Sequence, residues 1–331
     1  MTYSTGGLIQ ATDYNTFTTT AGGLNDIWST GSGDKGWGQT TLGSASTGGT
    51  VTATQWASLV NTLAAAGSQT NTTLTSRSAP TTGTTISILA NVSADITSVT
   101  TNRGNAAASG TQYGVYSGTT TKTGATGGGT TQWTLTFTHT ITFPSADQAR
   151  YFWNAGGLVR LQYGKSSTGT DIDPDWNTFA GQCGSIYVSG RVNGAAQTIA
   201  GQSYTGTTRI GGTGGTQTTL ATTTGFYNLT STPVTIFQLN NASSPYTGEY
   251  IRTTAASGSA TDLTLVTTWF QPAVSGAGQT NNISGGTDTA SPATSITGTA
   301  PTTLCTYLPP STTYLTNSWG TPSIGAAVAT A

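Results

Sequence analysis

Hydrophobic and polar positions fall into two regimes along the chain. Up to about residue 103 the apolar positions recur at helical spacing. Tyr14, Phe17, Ala21, Leu24 and Trp28 form one stripe behind Asp13, which predicts a first helix capped by Asp13 and weakened at Gly22-Gly23. A turn-rich stretch from Ser29 to Gly49 follows and contains Gly36-Trp37-Gly38-Gln39. Thr52 or Thr54 then caps a second helix with Trp56, Leu59, Val60 and Leu63 on one face, and Gly67 is its expected stop. Residues 1–68 therefore read as a helical hairpin, a docking or assembly module.

Residues 69–111 read as a polar linker followed by an oligomerising helix, from about Ile86 to Arg103. Its apolar residues Leu89, Val92, Ile96 and Val99 have the spacing of a coiled-coil seam two heptads long. The same spacing also fits a helix lying on its own domain, since a sustained seam needs three or four heptads.

From Gln112 onward the period becomes two. In Trp133 to Phe143, the residues Trp133, Leu135, Phe137, His139, Ile141 and Phe143 share one face, and threonines occupy the other. Further strands are expected at Leu158–Tyr163, Gly184–Val192, Tyr227–Leu229, Val234–Leu239, Glu249–Thr254 and Asp262–Phe270. Ser145 should cap a short helix, Ala146–Asn154, that stops at Gly156-Gly157. Asp173 should cap another near Pro174–Gly181. The end, Gln271 to Ala331, is turn-rich and of low complexity, and is expected to be ordered by packing, with partner subunits the natural surface. The fold class is thus mainly β: an antiparallel β-sandwich over residues 112–331 with short inserted helices, preceded by a small α-helical module.

Composition narrows the function. Only 6% of the chain is charged, against roughly a quarter in ordinary soluble proteins. Threonine is the commonest residue, and 45 glycines accompany it. Lys and Arg number 10 against 11 acidic residues, too few for a nucleic-acid-binding face. No apolar run has the length of a membrane span. The first ten residues lack the charged and apolar regions of a secretory signal, so none is expected. The 8 Trp, 13 Tyr and 8 Phe argue against a disordered chain. Hydroxyl-rich surfaces with little charge repel one another weakly, which suits a protein living inside a large assembly.

Candidate chemistry is sparse. His139, the one histidine, lies on an apolar strand face and reads as a core residue. Cys183 and Cys305 read as two buried thiols, with a single bridge the alternative. Asp171, Asp173 and Asp175 are weak candidates for a Ca²⁺ site, the one cofactor considered, although the usual loop glycine and distant Glu are missing. The competing reading has Asp173 capping a helix and Asp175 in its first turn. Trp37, Trp176, Trp269 and Trp319 could stack on sugars or belong to the core. The glycine clusters at Gly127–Gly129 and Gly211–Gly215 lack the P-loop Lys-Ser/Thr and read as turns. No catalytic residue is singled out.

The segment Ile141-Thr142-Phe143-Pro144-Ser145-Ala146-Asp147-Gln148-Ala149-Arg150-Tyr151-Phe152-Trp153-Asn154-Ala155-Gly156-Gly157 closely resembles a motif of tailed-phage virion proteins, common in marine phages including those of cyanobacteria. A strand ends in Phe, a Ser-capped helix follows, and an aromatic pair with Asn-x-Gly-Gly closes it. Trp153 stands where that motif has Phe. Asp13-Tyr14-Asn15, Trp37-Gly38-Gln39 and Val51 to Trp56 are similar, in order, to the amino-terminal module of such proteins, and Tyr314 to Pro322 is similar to a segment near their end. The resemblance covers about a quarter of the chain and brings no catalytic residues with it. It implies a non-enzymatic virion structural protein in the tail, neck or fibre region, and the heptad spacing of Leu89, Val92, Ile96 and Val99 would join its copies into a symmetric homo-oligomer. Its partners would be copies of itself and other virion proteins, with a host surface glycan as a further candidate and neither nucleic acid nor membrane insertion. The alternatives are a receptor- or glycan-binding fibre module and a capsid decoration protein.

Overall fold

The computed structural model describes residues 10–83, 91–106, 117–122, 133–165, 172–191, 196–214, 217–242, 248–272 and 301–330. The chain is mainly β, with two antiparallel sheets face to face. One has six strands in the order β14 (Ser323–Thr330), β3 (Trp133–Thr142), β12 (Asp262–Gln271), β11 (Tyr250–Ala256), β10 (Val234–Asn240) and β9 (Gln217–Leu220). The other has five, in the order β2 (Ser117–Lys122), β13 (Thr302–Leu308), β4 (Leu158–Gly164), β5 (Ser185–Ser189) and β8 (Thr207–Ile210). A small sheet of β1 (Asn105–Ala106), β6 (Gln197–Ile199) and β7 (Gln202–Tyr204) packs on the five-stranded one, where Ile199 and Tyr204 join Leu158 and Leu308 in a second apolar cluster.

Alternation explains the central strands. On β3, Leu135, Phe137, His139 and Ile141 are fully buried while the intervening threonines are half-buried. β12 repeats this with Leu263, Leu265, Thr267, Trp269 and Gln271 inward. Buried threonines find partners instead of water: Tyr163 Oη on β4 meets Thr253 Oγ1 at 2.9 Å, and Thr253 Oγ1 meets Thr267 Oγ1 at 2.9 Å. Trp269 Nε1 donates to Thr303 Oγ1 across the sandwich at 3.2 Å. A threonine-rich core is thereby hydrogen-bonded between its sheets as well as packed.

The helices are α1 (Ala11–Thr18), α2 (Asn25–Trp28), α3 (Ala53–Gln69), α4 (Val92–Thr101), α5 (Ala146–Asn154) and α6 (Ile172–Cys183). None among the described residues is long and apolar enough to cross a membrane. Tyr14 and Phe17 of α1 meet Trp56 of α3 edge-on at 5.4 and 6.1 Å. These residues belong to the same continuous core as the sandwich.

Several expectations shift. Asp13 is not the first cap: Gln10 is, and Asp13 closes a capping box by accepting from the Gln10 N–H. α1 ends before Gly22-Gly23, and α2 restarts the stripe. Thr52 caps α3 as expected, but the helix runs through Gly67 to Gln69. Gly67 is needed there because Leu74 packs where a Cβ would sit. Gln69 and Thr70 are buried, so the expected linker opens inside the fold.

The assembly seam is corrected most clearly. Val92, Ile96 and Val99 are buried within the chain, where α4 packs on α1 and α3, so they are core residues and not a free seam. Leu89 lies outside the described residues. Tyr227–Leu229, expected as a strand, falls on a 3-10 turn at Phe226–Asn228 that stacks Phe226 on Trp153 at 5.3 Å. The low-complexity end supplies β13, inside the five-stranded sheet, and β14, on the edge of the six-stranded one.

Candidate functional site

Ser145 is extended, and its Oγ accepts from the Gln148 N–H at 3.1 Å, which starts α5 where the sequence placed it. At the other end, a helix leaves carbonyls without intrahelical partners. Here the N–H groups of Ala155, Gly157 and Gly156 serve Tyr151, Phe152 and Trp153, and side chains from remote segments add further bonds along the last turn. Tyr227 Oη donates to Arg150 O and Gln197 Nε2 to Trp153 O, both at 3.2 Å. Trp37 Nε1 donates to Asn154 O, 117 positions away, and Gln69 Nε2 to Ala155 O, both at 3.2 Å. Asn154 Nδ2 returns the contact by donating to Gly36 O at 3.1 Å.

The Tyr314 to Pro322 segment joins the same corner. Gln39 Oε1 accepts from Thr316 N at 2.8 Å, Gln39 Nε2 donates to Thr316 O at 3.0 Å, and Ser318 Oγ donates to Trp37 O. Gly38 has φ +68°, and a Cβ there would fall 2.3 Å from the Tyr151 ring. Gly157 lets Phe152 lie against the backbone, where a Cβ would be 2.4 Å from the ring. Segments far apart in sequence therefore lock around one helix.

A cleft of about 270 Å³ opens beside this corner, lined by Asp34, Trp37, Arg103, Trp153, Arg191 and Gln197 among others. Arg103 Nη2 stands 3.9 Å from Asp34 Oδ2, a loose and partly exposed pair. Burial, and then the like charge of Arg103, hold the Arg191 guanidinium below its ordinary pKa, against the opposing pull of Asp34. Trp153 Nε1 and Gln197 Oε1 make no hydrogen bond, although both residues are 1% exposed. A larger groove of about 540 Å³ runs beside α3. Its guanidinium, Arg77, is paired with Asp95 at 2.5 Å.

A second cluster sits where β11 begins. Glu249 is fully buried, and one amide, Asn241 Nδ2, donates to Glu249 Oε2 at 2.8 Å and to Asp175 Oδ2 at 2.6 Å. Trp176 Nε1 donates to Gln271 Oε1 at 2.7 Å beside them. Burial first, and then Asp175, push the Glu249 carboxyl up to about 9, so it is protonated at neutral pH. Asp175 is also raised by burial, but the hydrogen bond from Asn241 favours its charged form. Asn241 Nδ2 thus bridges the two carboxyls, while Glu249 Oε1 makes no hydrogen bond.

The other sequence candidates divide plainly. Asp175 joins this carboxyl pair; Asp171 lies outside the described residues. Asp173 is the second residue of α6 rather than its cap, and its side chain is not among those described. Among the described residues no three or more His, Cys, Asp and Glu side chains are placed to hold a metal ion. Trp37, Trp176, Trp269 and Trp319 are buried, so they are core residues and not sugar platforms. Trp176 and Trp269 stack on each other at 5.3 Å. His139 is buried on its strand, and Cys183 and Cys305 are free, buried thiols. Gly127–Gly129 lie outside the described residues.

Sequence reasoning passed over the Glu249 cluster and the two-arginine cleft. The first left one signal, a single Glu in the whole chain. The second left none, because Arg103 and Arg191 meet only through the fold. Comparisons with protein-family models, with curated proteins and with solved structures found no match.

Proposed function

We propose that this chain is a non-enzymatic structural protein of a tailed-phage virion, forming a symmetric homo-oligomer in the tail, neck or fibre apparatus. One observation carries the proposal. Three of the patches that resemble virion proteins meet at α5, where Trp37, Gln39, Asn154 and Thr316 hydrogen-bond one another's segments. The motif thus works as a structural corner that ties the helical region and the end of the chain to the sandwich. Residues spent on such an interlock serve a rigid building block. Low charge adds support, since copies of a chain with 6% charged residues repel weakly when packed side by side. The contact between copies has to lie away from Val92, Ile96 and Val99, which the core occupies.

Immunogold labelling of intact purified particles tests this. Gold on the tail, neck or fibres is the expected result. Gold over the head would favour capsid decoration instead. Absence of label, together with absence of the protein from disrupted particles, would overturn the virion assignment.

A further inference from the structure

We propose that the outer face of the six-stranded sheet is where a second copy of this chain docks, face to face, about a two-fold axis. The inference rests on the homo-oligomer reading above and adds the surface and the symmetry. The other apolar faces are already taken. The small sheet covers the outer side of the five-stranded one through Leu158, Leu308, Ile199 and Tyr204. The apolar sides of α3 and α4 are spent on the core. On β3, β11 and β12, by contrast, the described outward residues are half-buried or exposed, and so still meet water.

The chemistry of this face suits a copy of itself. Ala327, Thr138, Val266 and Thr254 lie side by side in one row across four strands. They are small and uncharged, so a second sheet can approach to the usual spacing of about 10 Å. Six strands about 4.8 Å apart and up to ten residues long make a face of roughly 24 by 30 Å, on the order of 700 Å². A standard interface uses about 800 Å² per partner.

Charge fixes the arrangement. Among the described residues this face carries two charges, Arg252 on β11 and Asp262 on β12. Arg252 stands beside Thr268, six positions along β12 from Asp262, or about 20 Å. The two are therefore too far apart to pair within one chain. A two-fold axis crossing the strands at Leu265, midway between them, reverses the strand direction. It sets the Arg252 of each copy opposite Asp262 of the partner subunit, one strand to the side. Such a contact is self-complementary. Arg252 is poised for it: the guanidinium lies 5.1 Å over the Tyr250 ring, and Nε makes no hydrogen bond. Asp262 Oδ1 accepts from Ser259 N at 2.9 Å, which leaves Oδ2 for the second copy.

The experiment is analytical ultracentrifugation of the isolated full chain over a dilution series. Wild type should sediment as a dimer or an even multiple of it. Val266→Lys places a lysine of each copy beside the axis and should weaken dimerisation at least tenfold. Its circular dichroism should stay that of wild type, because position 266 faces water in the single chain. Arg252→Asp and Asp262→Lys should each weaken dimers at least tenfold by opposing like charges. Mixing these two singly substituted chains should restore dimers, because every contact then joins opposite charges. Val266→Lys and Arg252→Asp carry the test if Asp262→Lys, which loses the Ser259 contact, fails to fold. Dimers untouched by those two variants would overturn this face and leave the homo-oligomer standing. A trimer, or no recovery in the mixture of folded chains, would overturn the two-fold arrangement. Wild type monomeric throughout the series would overturn the homo-oligomer as well.

Discussion

Replacing Glu249 with Gln should make the protein less sensitive to alkaline pH, against the usual result of removing a buried charged residue. The reason is protonation. The carboxyl is fully buried and held by Asn241 Nδ2 at 2.8 Å. Its pKa rises from an ordinary 4.5 to about 9, through burial first and the neighbouring Asp175 second. Between pH 6 and 8 the unfolded chain has this carboxylate ionised, while the folded chain keeps its proton. The folded state binds one more proton, so stability falls as pH rises, by about 1.4 kcal/mol per pH unit, or about 3 kcal/mol across the window. A glutamine has the same shape and still accepts from Asn241. It has no proton to lose. Urea unfolding followed by tryptophan fluorescence at pH 6 and pH 8 measures both slopes. The difference between wild type and Glu249→Gln isolates this carboxyl from the other titrating groups. Wild type should lose about 3 kcal/mol more than the variant. Equal losses would mean that Glu249 is ionised in the folded protein and would refute the reasoning.

Three further outcomes follow from the packing. Gly38→Ala places a methyl 2.3 Å from the Tyr151 ring at φ +68°, and should cost about 2 to 3 kcal/mol, read as a lower thermal midpoint. Val92→Asp with Ile96→Asp should unfold the helical region itself, seen as lost helical circular dichroism and rapid proteolysis of the first hundred residues. Dissociation of an oligomer into folded chains would restore the seam. Burial raises the Cys183 thiol and pushes Cys305 up to about 12. Both should therefore resist Ellman's reagent in the native protein at pH 8 and react fully in urea.

Local patterns that carry their own physics were legible in the sequence. The alternation of Leu135, Phe137, His139 and Ile141 with threonines allows only a strand buried on one side, and β3 is that strand. Ser145 and Thr52 mark helix starts because a hydroxyl at that point satisfies a backbone N–H whatever the rest of the chain does. The class, an antiparallel sandwich behind a helical region, follows from summing such signals.

Signals that depend on a partner could not be read this way. Val92, Ile96 and Val99 form an apolar stripe, and a stripe does not say whether its cover is another chain or α1 and α3 of the same chain. Phe226 sits in a 3-10 turn because Trp153 and Phe143 are there to receive it, not because of its neighbours in sequence. β13 hides in a tail whose composition suggests irregular structure, and becomes a strand because β2 and β4 stand on both sides of it. The same division holds for the candidate sites. Glu249 acquires its proton from burial beside Asp175, and Arg103 and Arg191 share a cleft only once the chain has folded. Spacing along the chain fixes what a residue can do with its near neighbours. Charge, solvation and hydrogen-bond partners at a distance are properties of the packed molecule, and tertiary structure alone decided those.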